Sequence, residues 1–143
     1  MRQQPASTTA QYTVREVRDV APSGWDGWLR DSPGGGHVLQ SYAWGEFKRR
    51  YGWRPLRLVL ERDGEVVGVG QFLAYNTMPV PGVLMYCSKG PWLPWDDEEA
   101  VRAFFVGAAE VAGAAGAHTL KVEPEVPGRS ADVDALLEDI GFH

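Results

Sequence analysis

Apolar and polar positions change period several times along this chain, and each change predicts an element. Residues Gln11 to Val17 alternate, with Tyr12, Val14 and Val17 on or near one side, which reads as a short strand. Ser23 to Arg30 reads as a short helix with Ser23 as its N-cap, and Ser32-Pro33-Gly34-Gly35-Gly36 as the loop after it. Ser41 to Tyr51 predicts a second helix, capped by Ser41, with Ala43, Phe47 and Arg50/Tyr51 recurring at the spacing of one packed face. Gly52 stands where a left-handed C-cap is wanted, and Arg49 and Arg50 suit the negative end of the helix dipole. Gly45 inside this helix costs ~1 kcal/mol relative to Ala, which points to close approach by a neighbouring backbone or a ligand, or to a tolerated accident.

Two apolar runs, Pro55 to Arg62 and Glu65 to Leu73, flank Asp63-Gly64, the strongest short signal for a β-hairpin. A third strand is expected over Val83 to Ser88, ending at Lys89-Gly90-Pro91. Asp96 followed by Glu99 has the spacing of a capping box for a helix that buries Val101, Phe104, Phe105, Ala108 and Val111, closed by Gly113 and Gly116. Thr119 to Val122 reads as a strand stopped by Pro124, and a last helix opens at Ser130, buries Val133, Leu136, Leu137 and Ile140, and ends at Gly141. Residues 1–10 are polar and unpatterned and read as a loose tail before one domain over 11–143. The expected fold class is α/β (α+β): a mixed, mostly antiparallel sheet with helices on both faces.

Composition narrows the function classes. One cysteine, Cys87, excludes an internal disulfide and a cysteine metal cage, and His37, His118 and His143 have no metal-ligand spacing. There is neither a signal-peptide core nor an apolar run near the ~20 residues of a membrane span, so a cytosolic protein is expected, with the inner membrane face as a place of work. The net charge of -5 argues against wholesale nucleic-acid binding, yet Lys48, Arg49, Arg50, Arg54 and Arg57 cluster and leave room for a local phosphate surface. The phosphate-cradle and nucleophile-elbow motifs are absent, and Gly68-Val69-Gly70 lies inside a predicted strand instead of opening a helix.

Four features carry candidate chemistry. Trp44 and Lys48 sit one helical turn apart, as a cation beside an aromatic wall or simply as a half-buried Trp with a snorkelling Lys. Lys89-Gly90-Pro91 ends a strand and is otherwise a plain turn. Glu123 before Pro124 is a carboxylate placed to accept an amine proton or orient an ammonium, or a solvated turn residue. Trp92 and Trp95 flank Pro94 as a lid over the sheet edge. From the residues alone, the reading ends at an α/β domain with a phosphate-facing patch.

Three segments together say more: HVLQSYAWGEFKRRYGW over residues 37–53, LMYCSKGPWLPW over 84–95 and AHTLKVEPEV over 117–126. In this order and spacing they resemble the FemA/FemB/FemX family of peptidoglycan bridge aminoacyltransferases, over about residues 31–142. The resemblance implies two related domains of the acetyltransferase (GNAT) fold, of which this chain is the first, and a second domain beyond Phe142-His143 that takes the donor's aminoacyl end. It implies transfer of an amino acid from aminoacyl-tRNA, as donor substrate and with no cofactor, to the stem peptide of UDP-MurNAc-pentapeptide or lipid II. Lys48 falls where the family holds the precursor's diphosphate, with Trp44 walling the groove. Glu123 falls on an acidic position near the acceptor, considered as general base. His118 falls where a relative carries a groove tyrosine, and Lys89 lies in the matching strand-end motif. The competing expectations are an acetyl-coenzyme A N-acyltransferase of the same fold and a non-catalytic muropeptide-binding module.

Overall fold

The computed structural model describes residues 11–79, 81–126 and 131–143. Five strands form one sheet in chain order: β1 (Tyr12–Glu16), β2 (Arg54–Arg62), β3 (Glu65–Asn76), β4 (Val83–Cys87) and β5 (Ala117–Val122). The first four run antiparallel to their neighbours, and β5 joins β4 in parallel. Helices α1 (Pro22–Asp31) and α2 (Tyr42–Arg49) lie between β1 and β2 in sequence, α3 (Glu98–Ala114) crosses from β4 to β5, and α4 (Ala131–Ile140) follows β5.

Strand alternation divides the core between two layers. Leu56, Leu58 and Leu60 of β2, Phe72 of β3 and Met85 and Cys87 of β4 pack with Val101, Phe104 and Phe105 of α3 and Leu137 of α4. Facing the other way, Val59 and Val69 pack with Trp25 and Leu29 of α1 and with Trp92. The mixed, mostly antiparallel sheet with helices on both faces is thus observed.

Local chemistry explains the boundaries and moves several. Asp63 and Gly64 both take positive φ (51° and 85°), as a two-residue hairpin of the primed type requires. α1 opens one residue before the expected cap: Pro22 stands at its start, Ala21 is the N-cap, and no side chain caps it. Proline's fixed φ pre-sets this first turn without a hydroxyl. α3 is capped by Asp97, not Asp96: its carboxylate accepts from the Ala100 N–H at 3.3 Å and also from the Tyr12 hydroxyl of β1. Gly113 lies inside α3, and Gly116, at φ 77°, makes the turn into β5. β5 begins at Ala117 and so includes His118. The expected tail over residues 1–10 and the opening of the last helix at Ser130 lie outside the described residues.

The Tyr12–Asp97 bond joins the first strand to the main helix and makes stability depend on pH. The Tyr12 hydroxyl, followed by the Ala100 and Glu99 amides, holds the Asp97 carboxyl below its usual range against the opposing effect of burial. A carboxyl depressed on folding stabilises the protein above its unfolded pKa of ~3.9, and that contribution disappears as pH falls through the folded value. Tyr12→Phe should therefore cost ~1.5–3 kcal/mol at pH 7, the range for a hydrogen bond to a charged group. In urea titrations the gap between mutant and parent should close on acidification. A gap independent of pH would assign the loss to packing instead.

Candidate functional site

The face of α2 expected to pack inward does not. Ala43 is exposed, as are Phe47 and Tyr51, while Gly45 is the buried residue of the helix. The reason is a polar layer beneath α2. Arg57 of β2 and Gln71 of β3 face each other across the ladder and are 5% and 1% exposed. The Arg57 guanidinium donates to Gln71 Oε1 at 2.8 Å, to the Tyr42 carbonyl at 3.2 Å and to Glu46 at 3.1 Å, and lies 4.0 Å from the Tyr42 ring centroid. Gln71 Nε2 donates to the Ser41 carbonyl at 3.0 Å. The helix turns its short residue and the Tyr42 ring onto this network, while Phe47 and, just past the helix, Tyr51 point away.

Gly45 is explained by the same layer. A Cβ there would stand 2.4 Å from Gln71 Oε1 and 2.6 Å from Arg57 Nη2. The close neighbours are therefore two buried side chains, not the backbone or ligand expected. Gly45→Ala should destabilise the chain by ~1–3 kcal/mol, as overpacking does, despite the better helix propensity of Ala. A thermal midpoint equal to or above the parent's would overturn this.

On the partly buried flank of α2, aromatic rings surround Lys48. Its ammonium lies 5.7 Å from the Trp44 ring centroid and 5.1 Å from that of Trp53. Trp53 packs on Tyr75 at 4.8 Å, and Trp44 stacks on Phe47 at 5.4 Å. Ser41 accepts from the Trp44 N–H at 3.1 Å and fixes the start of the helix, so the expected cap is observed. The sequence pair Trp44 and Lys48 is brought together, and Trp53 and Tyr75 complete a cradle that spacing had not disclosed. Rings on two sides limit the rotamers of the lysine while its charge stays free to meet an anion.

Lys89 and Glu123 meet at the other end of the sheet. Lys89 adopts φ 54°, and its carbonyl accepts from Trp92 Nε1 at 2.7 Å. Its ammonium pairs with Glu125 at 3.5 Å. The Glu123 N–H reaches both the Cys87 and Gly90 carbonyls at 3.1 Å, tying the end of β5 to the Lys89-Gly90-Pro91 turn. The Glu123 carboxyl is held below its usual range, first by the Tyr86 hydroxyl and then by the Lys89 amide and the charges of Lys121 and Lys89, against the opposing effect of burial. Lys121 lies 5.0 Å from the Tyr86 ring centroid. Because Met85 and Cys87 face α3, Tyr86 and its partners lie on the same face of the sheet as α2.

His118 does not join Glu123. Its Nε2 lies 2.9 Å from Thr77 Oγ1 and its Nδ1 2.8 Å from Thr119 Oγ1, beside the β3–β4 connection. It therefore belongs to the Lys48 end. By strand register, Tyr75, Leu84 and Thr119 share one row. Glu123 lies four residues further along β5 and two strands over, which puts it ~16 Å from the Tyr75 row position.

The N-terminus of α3 offers no phosphate cradle. Asp97 occupies its free amides, and Glu98 and Glu99 stand in the first turn. These charges oppose a pyrophosphate where a helix N-terminus would otherwise attract one. The described residues contain no group of three or more potential metal ligands and no helix long and apolar enough to cross a membrane.

The chain has a GNAT-type fold and belongs to the FemAB family, whose model matches residues 22–137. The lipid II:glycine glycyltransferase of Staphylococcus aureus (strain MRSA252) is 33% identical over 118 residues, covering 82% of this chain and 28% of the relative. The crystal structure of FemX is similar with a TM-score of 0.79 at 31% identity, covering 90% of this chain and 32% of that one. A GNAT family acetyltransferase of Staphylococcus aureus is similar with a TM-score of 0.53 at 9% identity, which supports the fold alone. The chain thus spans about a third or less of the Fem-type relatives it matches.

Proposed function

We propose that this chain forms the precursor-holding part of a peptidoglycan bridge aminoacyltransferase, which moves an amino acid from aminoacyl-tRNA to an amine on the stem peptide of a UDP-MurNAc-pentapeptide or lipid II acceptor. The observation that carries the reading is a cation and a carboxylate toward opposite ends of one sheet face: Lys48 lies over Trp53, which packs on Tyr75, and the Tyr75 row is ~16 Å from Glu123 by register. The muramoyl sugar and a stem peptide extending up to ~3.5 Å per residue together cover such a span, so a diphosphate on Lys48 would direct the stem peptide along Leu84 and Tyr86 toward Glu123. In the transfer, the acceptor nitrogen bonds to the aminoacyl carbonyl carbon, the ester bond to the tRNA ribose breaks, and the amine gives up a proton. Positioning and oxyanion stabilisation supply most of such a rate. Glu123 contributes a fixed negative charge that draws and aims the ammonium. Its depressed pKa makes it a weak base.

Calorimetric titration with UDP-MurNAc-pentapeptide tests the reading. The parent chain should bind saturably, and Lys48→Ala should lose about tenfold in affinity, the lower end for a charge-assisted contact. A well-folded parent that does not bind would reject it. Coenzyme A should not bind, given the acidic N-terminus of α3. Binding without turnover, even with charged tRNA supplied, would mark the chain on its own as a muropeptide-binding module.

A further inference from the structure

We infer that the outward ridge of α2, with the adjoining ends of β2 and β3, is a docking surface for an anionic lipid bilayer. The ridge is built from the aromatic residues that the buried polar layer turns away from the core. Phe47 is 46% exposed, Tyr51 64% and Tyr75 41%, and Met78 beside Tyr75 in the chain is 81% exposed. The rings form a continuous array, with Phe47 5.1 Å from Tyr51 and 5.4 Å from Trp44. Exposed rings at this density are unusual on a free surface, and aromatic side chains favour the headgroup level of a membrane.

Charge selects the occupant. At about 100° per residue, Lys48 lies ~100° to one side of Phe47 and Arg50 ~60° to the other, so cations flank the aromatic crest. Residues 42–57 hold five basic side chains and one carboxylate, Glu46. That is a net +4, which leaves -9 on the rest of a chain totalling -5. Within that segment Arg57 is buried against Glu46, Arg49 also pairs with Glu46, and Arg54 falls on the α3 face by strand alternation, so Lys48 and Arg50 beside the crest are the cations that orient it toward an anionic surface. A ridge of aromatics flanked by Lys and Arg is the composition of elements that lie in a bilayer interface. The described residues contain no membrane-spanning helix, so this contact is peripheral. The inference stands apart from the precursor reading, since it requires only lipid.

Co-sedimentation of the 143-residue chain with precursor-free vesicles tests it. Vesicles of phosphatidylglycerol with phosphatidylethanolamine should bind the chain at ~0.1 M salt, where charges still act over ~10 Å. Phosphatidylcholine vesicles should not. Arg50→Glu changes two charges and should weaken partition by about 25-fold, at about fivefold per charge. Phe47→Ser with Tyr51→Ser should weaken it by about tenfold or more, with an unchanged circular dichroism spectrum. A parent that stays in the supernatant with anionic vesicles would overturn the inference, as would a double variant that binds like the parent. A parent that is dimeric in solution, made monomeric by the double substitution and indifferent to lipid, would reassign the ridge to self-association. Because the vesicles hold no precursor, the Lys48 titration succeeds or fails independently.

Discussion

Gln40→Leu is expected to destabilise the chain by at least ~3 kcal/mol and to release the turn that carries Lys89. Gln40 is fully buried, and its side chain fills a fork in the sheet. The β3–β4 ladder runs only as far as Leu73 opposite Tyr86, and β3 next pairs at Val69 with Trp92. Between these points the Gln40 amide stands in for a strand. Its Nε2 donates to the Gln71 carbonyl at 3.0 Å and the Ser88 carbonyl at 2.7 Å, and its Oε1 accepts from the Gln71 N–H at 2.7 Å. A Cβ on Gly90 would lie 2.7 Å from its Cδ, so the turn is seated directly on the amide. Leucine fills similar space but orphans one amide and two carbonyls, each worth ~1–3 kcal/mol when buried. Gln40→Glu should be at least as damaging, because a carboxylate cannot donate to either carbonyl and would bury a charge. The loss reads out as a lower urea midpoint. Hydrogen exchange should also show faster exchange at Lys89 and Glu123 than at Val59, which lies mid-strand in β2 and is paired on both sides. A midpoint within ~1 kcal/mol of the parent would mean that water replaces the amide.

Neither half of this buried layer was legible in the sequence, and the hairpin shows why. The Asp63-Gly64 turn pairs Arg62 with Glu65 and Glu61 with Val66, and continuing that register would set Gly70 opposite Arg57. A bulge between Leu60 and Glu61 moves the register by one, so Gln71 meets Arg57. A one-residue shift exchanges the two faces of a strand, and no local composition announces it. Arg57 therefore reads as one more member of a basic cluster, although it is the anchor of a buried network. The same omission inverted α2. Its apolar residues recur at packing intervals, but their face is outward because the inward face meets a guanidinium and an amide that need Tyr42, Glu46 and Ser41. By contrast, the strands, the hairpin turn, the Ser41 cap and the Trp44–Lys48 pair were legible, because each depends on residues within one turn or one period. Trp53 and Tyr75 join Lys48 only through the fold.

Glu123→Gln is expected to lower affinity for an amine-bearing precursor by about 10- to 150-fold, the range for losing a charge-assisted hydrogen bond. Affinity for the same precursor with that amine acetylated should scarcely change. Proton affinity decides the role of the carboxylate. Glu123 sits below the ordinary carboxylate range, with the Tyr86 hydroxyl as the leading cause, while an alkylammonium has a pKa of ~10.4. A proton passing from that ammonium to Glu123 would climb at least ~8 kcal/mol, at 1.36 kcal/mol per pKa unit. The carboxylate is therefore poised to hold an ammonium and poorly placed to deprotonate it. The pH dependence follows with a definite sign. Affinity for the amine-bearing precursor should be constant from neutrality down to the ordinary carboxylate range and fall only as pH drops through the depressed Glu123 value. Tyr86→Phe removes the main depressing contact, so the same loss should begin at higher pH, and the Glu123→Gln variant should show no such limb. Equal losses for the amine-bearing and acetylated ligands would instead make Glu123 a support for the Lys89 turn. In that case the acceptor amine must be held by groups other than this carboxylate.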